Sequence, residues 1–279
     1  MYVLTPDEKK RMNKLDFNLG GGYCDFLTGV SKQDPSDDKF LFIGLGGKGC
    51  STVARLKTEV YKQIKCPQGK LKPDSFEYLA IDTDRNALEQ LCRSGLGEVG
   101  LSNDPDNQEI FEIYDQTLAA LLAEPSRRPA NIASWMNPNL SPTLVGDGAG
   151  GIRQAGRGLL FGGRIGDLWN SIQNKLTNLH DLIIGNQTLS VYVFAGIGGG
   201  TGSGMIIDIP YIVREVAKIA GWNVRVFGYI FLPDTYNVSR VTAPHIEKNS
   251  YAALQEIDSL MNIGMTGNLG EFKAVYDPY

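Results

Sequence analysis

Apolar and polar residues alternate along this chain in a regular order of short strands and longer helices. Lys39-Phe-Leu-Phe-Ile43 is a compact apolar run closed by Gly44, the pattern of a buried strand feeding a tight turn. From Thr52 to Lys65 the residues Val53, Leu56, Val60 and Ile64 share one helical face, and Pro67 stops the helix. Phe76 to Ile81 reads as a second strand, with Asp84 opening the helix behind it. Ile110 to Leu122 has a helical pattern, followed by connections marked by Pro125, Pro129, Pro138 and Pro142. A helix is expected from Ile152 to Ile184, with a break at Gly162-Gly163. Leu189 to Ala195 is a strand, Met205 to Ala220 a helix, and Asn223 to Leu232 another strand. The last helix, His245 to Met261, aligns Tyr251, Leu254, Ile257 and Met261. Such alternation specifies an α/β domain with a mainly parallel sheet. In such sheets ligands sit beyond the carboxyl ends of the strands.

Composition narrows the class. The 279 residues carry 27 Lys+Arg against 31 Asp+Glu, net −4, which lacks the basic excess of a dedicated nucleic-acid binder. Cysteines at 24, 50, 66 and 92 form no C-x-x-C pair and only two histidines accompany them, so a disulfide framework or structural zinc is not expected. Reduced thiols fit a cytoplasmic protein. The polar start, Met1 to Lys14, is no signal peptide, and the most apolar stretch, Val191 to Val213, is too interrupted to span a membrane. Residues 1–38 read as an irregular arm and 39–279 as one domain. The 33 glycines exceed the usual ~7%, and they cluster.

The clusters fall at strand ends. Gly44-Leu-Gly-Gly-Lys-Gly49 joins the first strand to a helix and presents backbone N–H groups at a positive helix end, which suits an anion. The G-x-G-x-x-G match is weak alone, and a tight structural turn explains it equally. Gly196-Ile-Gly-Gly-Gly-Thr-Gly-Ser-Gly204 is the strongest signal: main chain dense in glycine wraps a phosphate closely while hydroxyls donate from the sides. Gly146 to Arg153 is a third glycine turn, which on its own reads as a connector.

The order of these segments resembles the nucleotide-binding domain of the tubulin/FtsZ superfamily. Gly196 to Gly204 is similar to its signature phosphate loop and Phe42 to Ser51 to its first glycine loop. Ala80-Ile-Asp-Thr-Asp-Arg-Asn-Ala-Leu88 resembles A-I-N-T-D-x-x-A-L, and Gly148 to Arg157 resembles G-A-G-G-N-P-x-x-G-R. The resemblance implies a Rossmann-like, mainly parallel sheet of six or so strands flanked by helices, holding GTP or GDP with Mg²⁺. Gly46, Gly47, Lys48 and Ser51 would line the α/β-phosphates, and Asp84 would reach the metal or its waters. Ala149, Gly150 and Gly151 would cover the γ-phosphate, with Gly199, Gly200, Thr201, Gly202 and Ser203 cradling the phosphates from the other side. Asp234 or Arg240 would touch ribose or base, and Asn249 resembles the Asn that recognises guanine. The residues alone leave Asp84 equally readable as a helix cap and Asn249 as a surface residue.

Departures accompany the match. Lys48 stands where FtsZ has glycine, Ile152-Arg153 where it has Asn-Pro, and Pro210 lies within the helix after the signature loop. The activating N-x-D-x-x-D loop is not found, since Asp258, Glu271 and Asp277 lack its spacing, and the sequence reaches Tyr279 before the expected place of the family's second domain. The resemblance therefore implies a GTPase completed by self-association or by a partner carrying the activating loop. A non-hydrolysing nucleotide-binding scaffold is the alternative. A dinucleotide enzyme is disfavoured, because its ribose-binding acid belongs about 20 residues beyond the loop and Asp82 lies much further on.

Overall fold

The computed structural model describes residues 38–64, 73–93, 99–142, 148–183, 189–236 and 245–266. The expected arm, Arg240, and the start of the third glycine turn at Gly146 lie outside these, Asp38 excepted. Five strands are present among the described residues: β1 Lys39–Leu45, β2 Phe76–Asp82, β3 Ile110–Glu112, β4 Leu189–Gly196 and β5 Val224–Phe231. They form one parallel sheet in the order β3-β2-β1-β4-β5. The helices are α1 Gly46–Gln63, α2 Arg85–Leu91, α3 Gln116–Ala123, α4 Arg153–Leu159, α5 Ile165–His180, α6 Thr201–Met205, α7 Asp208–Ala220 and α8 His245–Thr266, with a single turn at Ala130–Ala133.

Period-two alternation in β1 divides the core. Leu41, Ile43 and Leu45 face an aliphatic layer with Leu168, Ile172 and Leu176 of α5 and Ile209, Val213 and Val216 of α7. Phe42 faces the other side, packed with Val53 of α1, Leu88 of α2 and the rings of Tyr78, Tyr192 and Phe194. The Phe42 ring centroid lies 5.7 Å from Tyr78 and 5.5 Å from Tyr192, pairs worth ~0.5–1.5 kcal/mol each beyond area burial. Two buried ion pairs fix the helices over β2 and its neighbour segment: Lys57–Glu109 under α1 and Lys175–Glu77 from α5.

Several elements differ from their sequence patterns. The first helix begins at Gly46, directly on the strand, so the glycine segment is itself the first helical turns. Ile110 to Leu122 is not one helix; Ile110–Glu112 pairs with β2 and α3 starts after Asp115, whose side chain caps it by accepting from Leu118 N–H at 2.7 Å. Gly162-Gly163 does not break the long helix. A π turn at Leu160–Arg164 links α4 to α5, and Leu118 of α3 packs into the space a Gly162 side chain would fill. Pro210 delays the helix expected from Met205: α6 ends there and a new helix starts at Asp208, placing the proline in a first turn that needs no N–H from it. On α8 the buried positions are Ile246, Ser250 and Ala253, while Tyr251 and Leu254 are exposed. The expected apolar stripe is thus not the face that docks.

Candidate functional site

The strand order reverses between β1 and β4, so the loops leaving these two strands diverge and leave a crevice at their carboxyl ends. A cavity of about 420 Å³ opens there, lined by Gly46, Gly47, Lys48 and Ser51 of the first loop and by Gly196, Gly199, Gly200, Thr201, Gly202 and Tyr236. The two walls meet backbone to backbone. Gly46 has φ +66°, a left-handed conformation, and a side chain there would come within 2.9 Å of the Gly202 nitrogen. The glycines therefore serve close packing as well as an open lining, so the structural-turn reading of the first loop is realised together with its role in the cavity wall.

Lys48 is the charged side chain of this lining. Its ammonium donates to the Thr235 carbonyl at 2.8 Å and lies 5.4 Å from the centre of the Tyr236 ring. The Tyr236 hydroxyl accepts from the Gly198 N–H at 3.1 Å, and burial pushes its pKa up, against the lowering effect of the Gly198 and Gly199 N–H groups. Ser51 lines the cavity while its hydroxyl donates back to the Lys48 carbonyl at 3.0 Å.

Behind the signature loop stands the end of β2. The Thr83 and Thr201 hydroxyls are 2.7 Å apart. Asp82 accepts from the Thr83 N–H at 2.7 Å. Burial raises its carboxyl above the ordinary range; hydrogen bonds from Thr83, Thr201 and Asp84 pull it down, and the Asp84 charge adds a further rise. The Cys50 thiol donates to the Gly44 and Ile81 carbonyls, and burial, then the Asp82 charge, hold it protonated well above the usual thiol range. It is a packing group, not a nucleophile.

The remaining predicted residues sit around the cavity and outside its lining. Asp84 caps α2, its Oδ1 accepting from the Ala87 N–H at 3.0 Å, and its Cβ faces Gly148 of the third loop. Ala149 abuts Gly200 from the outer side, and Gly148, Gly150 and Gly151 all take positive φ. Ser203 is buried, with its hydroxyl accepting from Arg153 Nε at 2.7 Å. Asp234 is exposed on the turn Pro233–Thr235. Asn249 donates through its amide nitrogen to the carbonyls of Gly151, Gly198 and Gly199.

Sequence reasoning missed Tyr236, Thr83, Asp82 and Arg153. Arg153 carried a signal, since it occupies a departure from the superfamily pattern. It bonds Ser203 and forms a forked pair with Glu256 of α8. Arg157 likewise makes a two-pronged pair with buried Asp208, at 3.0 and 2.9 Å. Tyr236 had no sequence mark; only the return of the chain from β5 puts it over Gly196 and Gly198.

A parallel α/β sheet with glycine loops gathered at its switch point defines the fold class. The family model described as "Tubulin like" matches residues 41–279, and the chain belongs to that tubulin-like family. Similar solved structures include CetZ2 from Haloferax volcanii in a GTPγS-bound protofilament, at 16% identity over 78% of this chain and 45% of that one, TM-score 0.40. TubZ from Bacillus thuringiensis serovar israelensis is similar as a GTPγS-form protofilament, at 19% identity, 81% and 41% coverage and TM-score 0.45. The GDP-form protofilament of that TubZ gives 17% identity, 94% and 46% coverage and TM-score 0.45. The chain spans less than half the length of these relatives. No curated protein matches it. No helix among the described residues is long and apolar enough to cross a membrane.

Proposed function

We propose that this tubulin-like chain binds GTP and GDP in the cavity between the first and signature loops. One observation carries the reading: β1 and β4, adjacent at the switch point, deliver glycine main chain and Lys48 into a single cavity, with no carboxylate in its lining among the described residues. Such a lining favours a polyanion, because backbone N–H groups, a helix N-terminus and an ammonium all present positive charge. The guanine preference rests on the family. GTP is expected to bind at least tenfold tighter than ATP, about 1.4 kcal/mol. Identifying the nucleotide that copurifies, followed by titration of GTP and ATP, tests this; equal affinities remove the guanine assignment.

The donors fit Mg²⁺ as a companion of the phosphates. Among the described residues no three His, Cys, Asp or Glu side chains cluster around a point. Mg²⁺ at phosphates usually keeps several waters and takes only one or two carboxylates, so Asp84 at the edge of the third loop would hold one of its waters. The ion would supply charge neutralisation to the phosphates, while Lys48 and the loop N–H groups bind and orient them.

We assign hydrolysis, where it occurs, to an assembly. The cavity lining supplies positioning and charge stabilisation but no water-orienting base. This chain alone should bind GTP stoichiometrically and turn it over very slowly, with self-association or a partner that carries an acidic loop completing the site. The same lining favours a second reading, a scaffold that holds nucleotide without cleaving it. Phosphate release per molecule across a protein concentration series, alone and with a longer form of the chain, separates the two. Release that rises with assembly supports the GTPase, and none under any condition supports the scaffold.

A further inference from the structure

We infer that Asn249 is a positioning residue that sets the anion-binding face of the signature loop, and that it does so from outside the cavity. This inference rests on the nucleotide reading above and specifies how the loop is made ready for phosphate. The Asn249 amide nitrogen lies 2.7 Å from the Gly151 carbonyl, 3.0 Å from that of Gly198 and 3.3 Å from that of Gly199. An amide nitrogen has two hydrogens, so three carbonyls converge on two donors.

The geometry of the peptide unit gives this convergence its consequence. No peptide among the described residues is cis. In a planar trans peptide the carbonyl of one residue and the N–H of the next point in opposite directions. Turning the Gly198 and Gly199 carbonyls toward Asn249 therefore turns the N–H groups of Gly199 and Gly200 the other way. Gly199 and Gly200 line the cavity, and Asn249 does not. The side chain thus turns two successive N–H groups to the cavity side, that of Gly199 beside the Tyr236 hydroxyl and that of Gly200 toward the place proposed for phosphate, in a segment whose glycines would otherwise rotate freely.

The Gly151 carbonyl extends the same control to the third loop. Its peptide partner, the Ile152 N–H, is turned back onto the Ala149 carbonyl at 2.9 Å, closing the turn that abuts Gly200. Asn249, Ala253 and Glu256 follow the i, i+4, i+7 spacing of one helix face. Ala253 is fully buried, and Glu256 holds Arg153, which in turn holds Ser203. α8 is therefore a brace across both loops, with Asn249 at its loop end.

The test compares parent and Asn249→Ala for binding of GTP, ATP and inorganic tripolyphosphate, alongside amide hydrogen exchange of the loop. The expected result is a loss of at least tenfold for all three ligands, with the GTP:ATP ratio unchanged, and faster exchange even without ligand at Ile152 and Gly204, whose N–H groups bond the Ala149 and Gly200 carbonyls within the two loops. A collapsed GTP:ATP ratio with tripolyphosphate binding intact would overturn the inference in favour of base recognition by Asn249. Unchanged affinities and exchange would overturn it outright. Should the parent bind no nucleotide, the nucleotide reading fails, and the exchange measurement still decides whether Asn249 orders the loop. If Asn249→Ala does not fold, Asn249→Asp keeps the volume but faces three carbonyls with acceptors, and the same losses are expected from it.

Discussion

The hydroxyl groups of Thr83 and Thr201 lie 2.7 Å apart, joining the end of β2 to the first residue of α6 across 118 positions of sequence. Thr83 is fully buried and Thr201 nearly so, and Asp82 stands beside them. This contact ties the segment reading Asp82-Thr-Asp84 to the signature loop. Two of the segments that resemble the superfamily are thus joined directly in the fold.

Breaking that contact should cost stability. Thr83→Val removes one partner of the buried Thr201 hydroxyl, which keeps Asp82, for an expected loss of about 1 kcal/mol. Thr83→Val with Thr201→Val should cost less than the sum of the two single changes, because the contact between the hydroxyls is then lost once and not counted twice. Urea unfolding of the four proteins measures the coupling. Simple additivity would mean that the two residues act independently.

The glycines of the cavity should divide into two groups. Side chains at Gly47 and Gly199 would meet nothing within 4 Å, and both residues line the cavity. Gly47→Asp and Gly199→Asp should therefore fold normally yet lose several kcal/mol of nucleotide affinity through like-charge contact. At Gly200 a side chain would come within 2.8 Å of Ala149 Cβ and 2.9 Å of the Ile152 nitrogen. Even Gly200→Ala should lower the melting temperature. Calorimetry and thermal unfolding together check the division, and equal behaviour at Gly199 and Gly200 would contradict it.

Asp82 predicts a pH dependence. Burial raises its folded-state pKa above the unfolded value, so folding disfavours the ionised carboxylate. Below about pH 4, near the ordinary Asp value, the group is neutral in both states and costs nothing. The cost grows as pH climbs through the folded-state pKa and is complete above it. Asp82→Asn should therefore be more stable than the parent at neutral pH, with the advantage closing on acidification. Denaturant curves from acid to neutral pH read this directly, and an advantage independent of pH would assign it to packing.

Lys48 should contribute charge more than structure. Its ammonium reaches the Thr235 carbonyl and the Tyr236 ring from an exposed position. Lys48→Met should leave circular dichroism unchanged and weaken GTP binding about tenfold, or ~1.4 kcal/mol. The salt dependence of binding should also become shallower. Affinity and salt slope equal to the parent's would place the phosphates away from this side chain.

Much of this protein is legible in its sequence. The runs that became β1, β2 and β4 declare themselves because strands buried on both faces are largely apolar, and the glycine loops follow β1 and β4 directly. Local pattern marked the two glycine loops, since each loop's character is set by a few consecutive residues, and the resemblance named Gly46, Gly47, Lys48, Ser51 and Gly199 to Gly202, all of which line the cavity. Local pattern failed at β3, where three residues are held as a strand only by pairing with Ala80 to Asp82, and on α8, where the docking face is chosen by the loops beneath it. Tertiary structure alone decided that Tyr236 covers Gly196 and Gly198, that Thr83 meets Thr201, and that the Asn249 amide holds three carbonyls. Composition and periodicity fix which backbone can be buried and where it must turn. The partners of a single side chain across a hundred residues are fixed only when the sheet closes and brings its strand ends together.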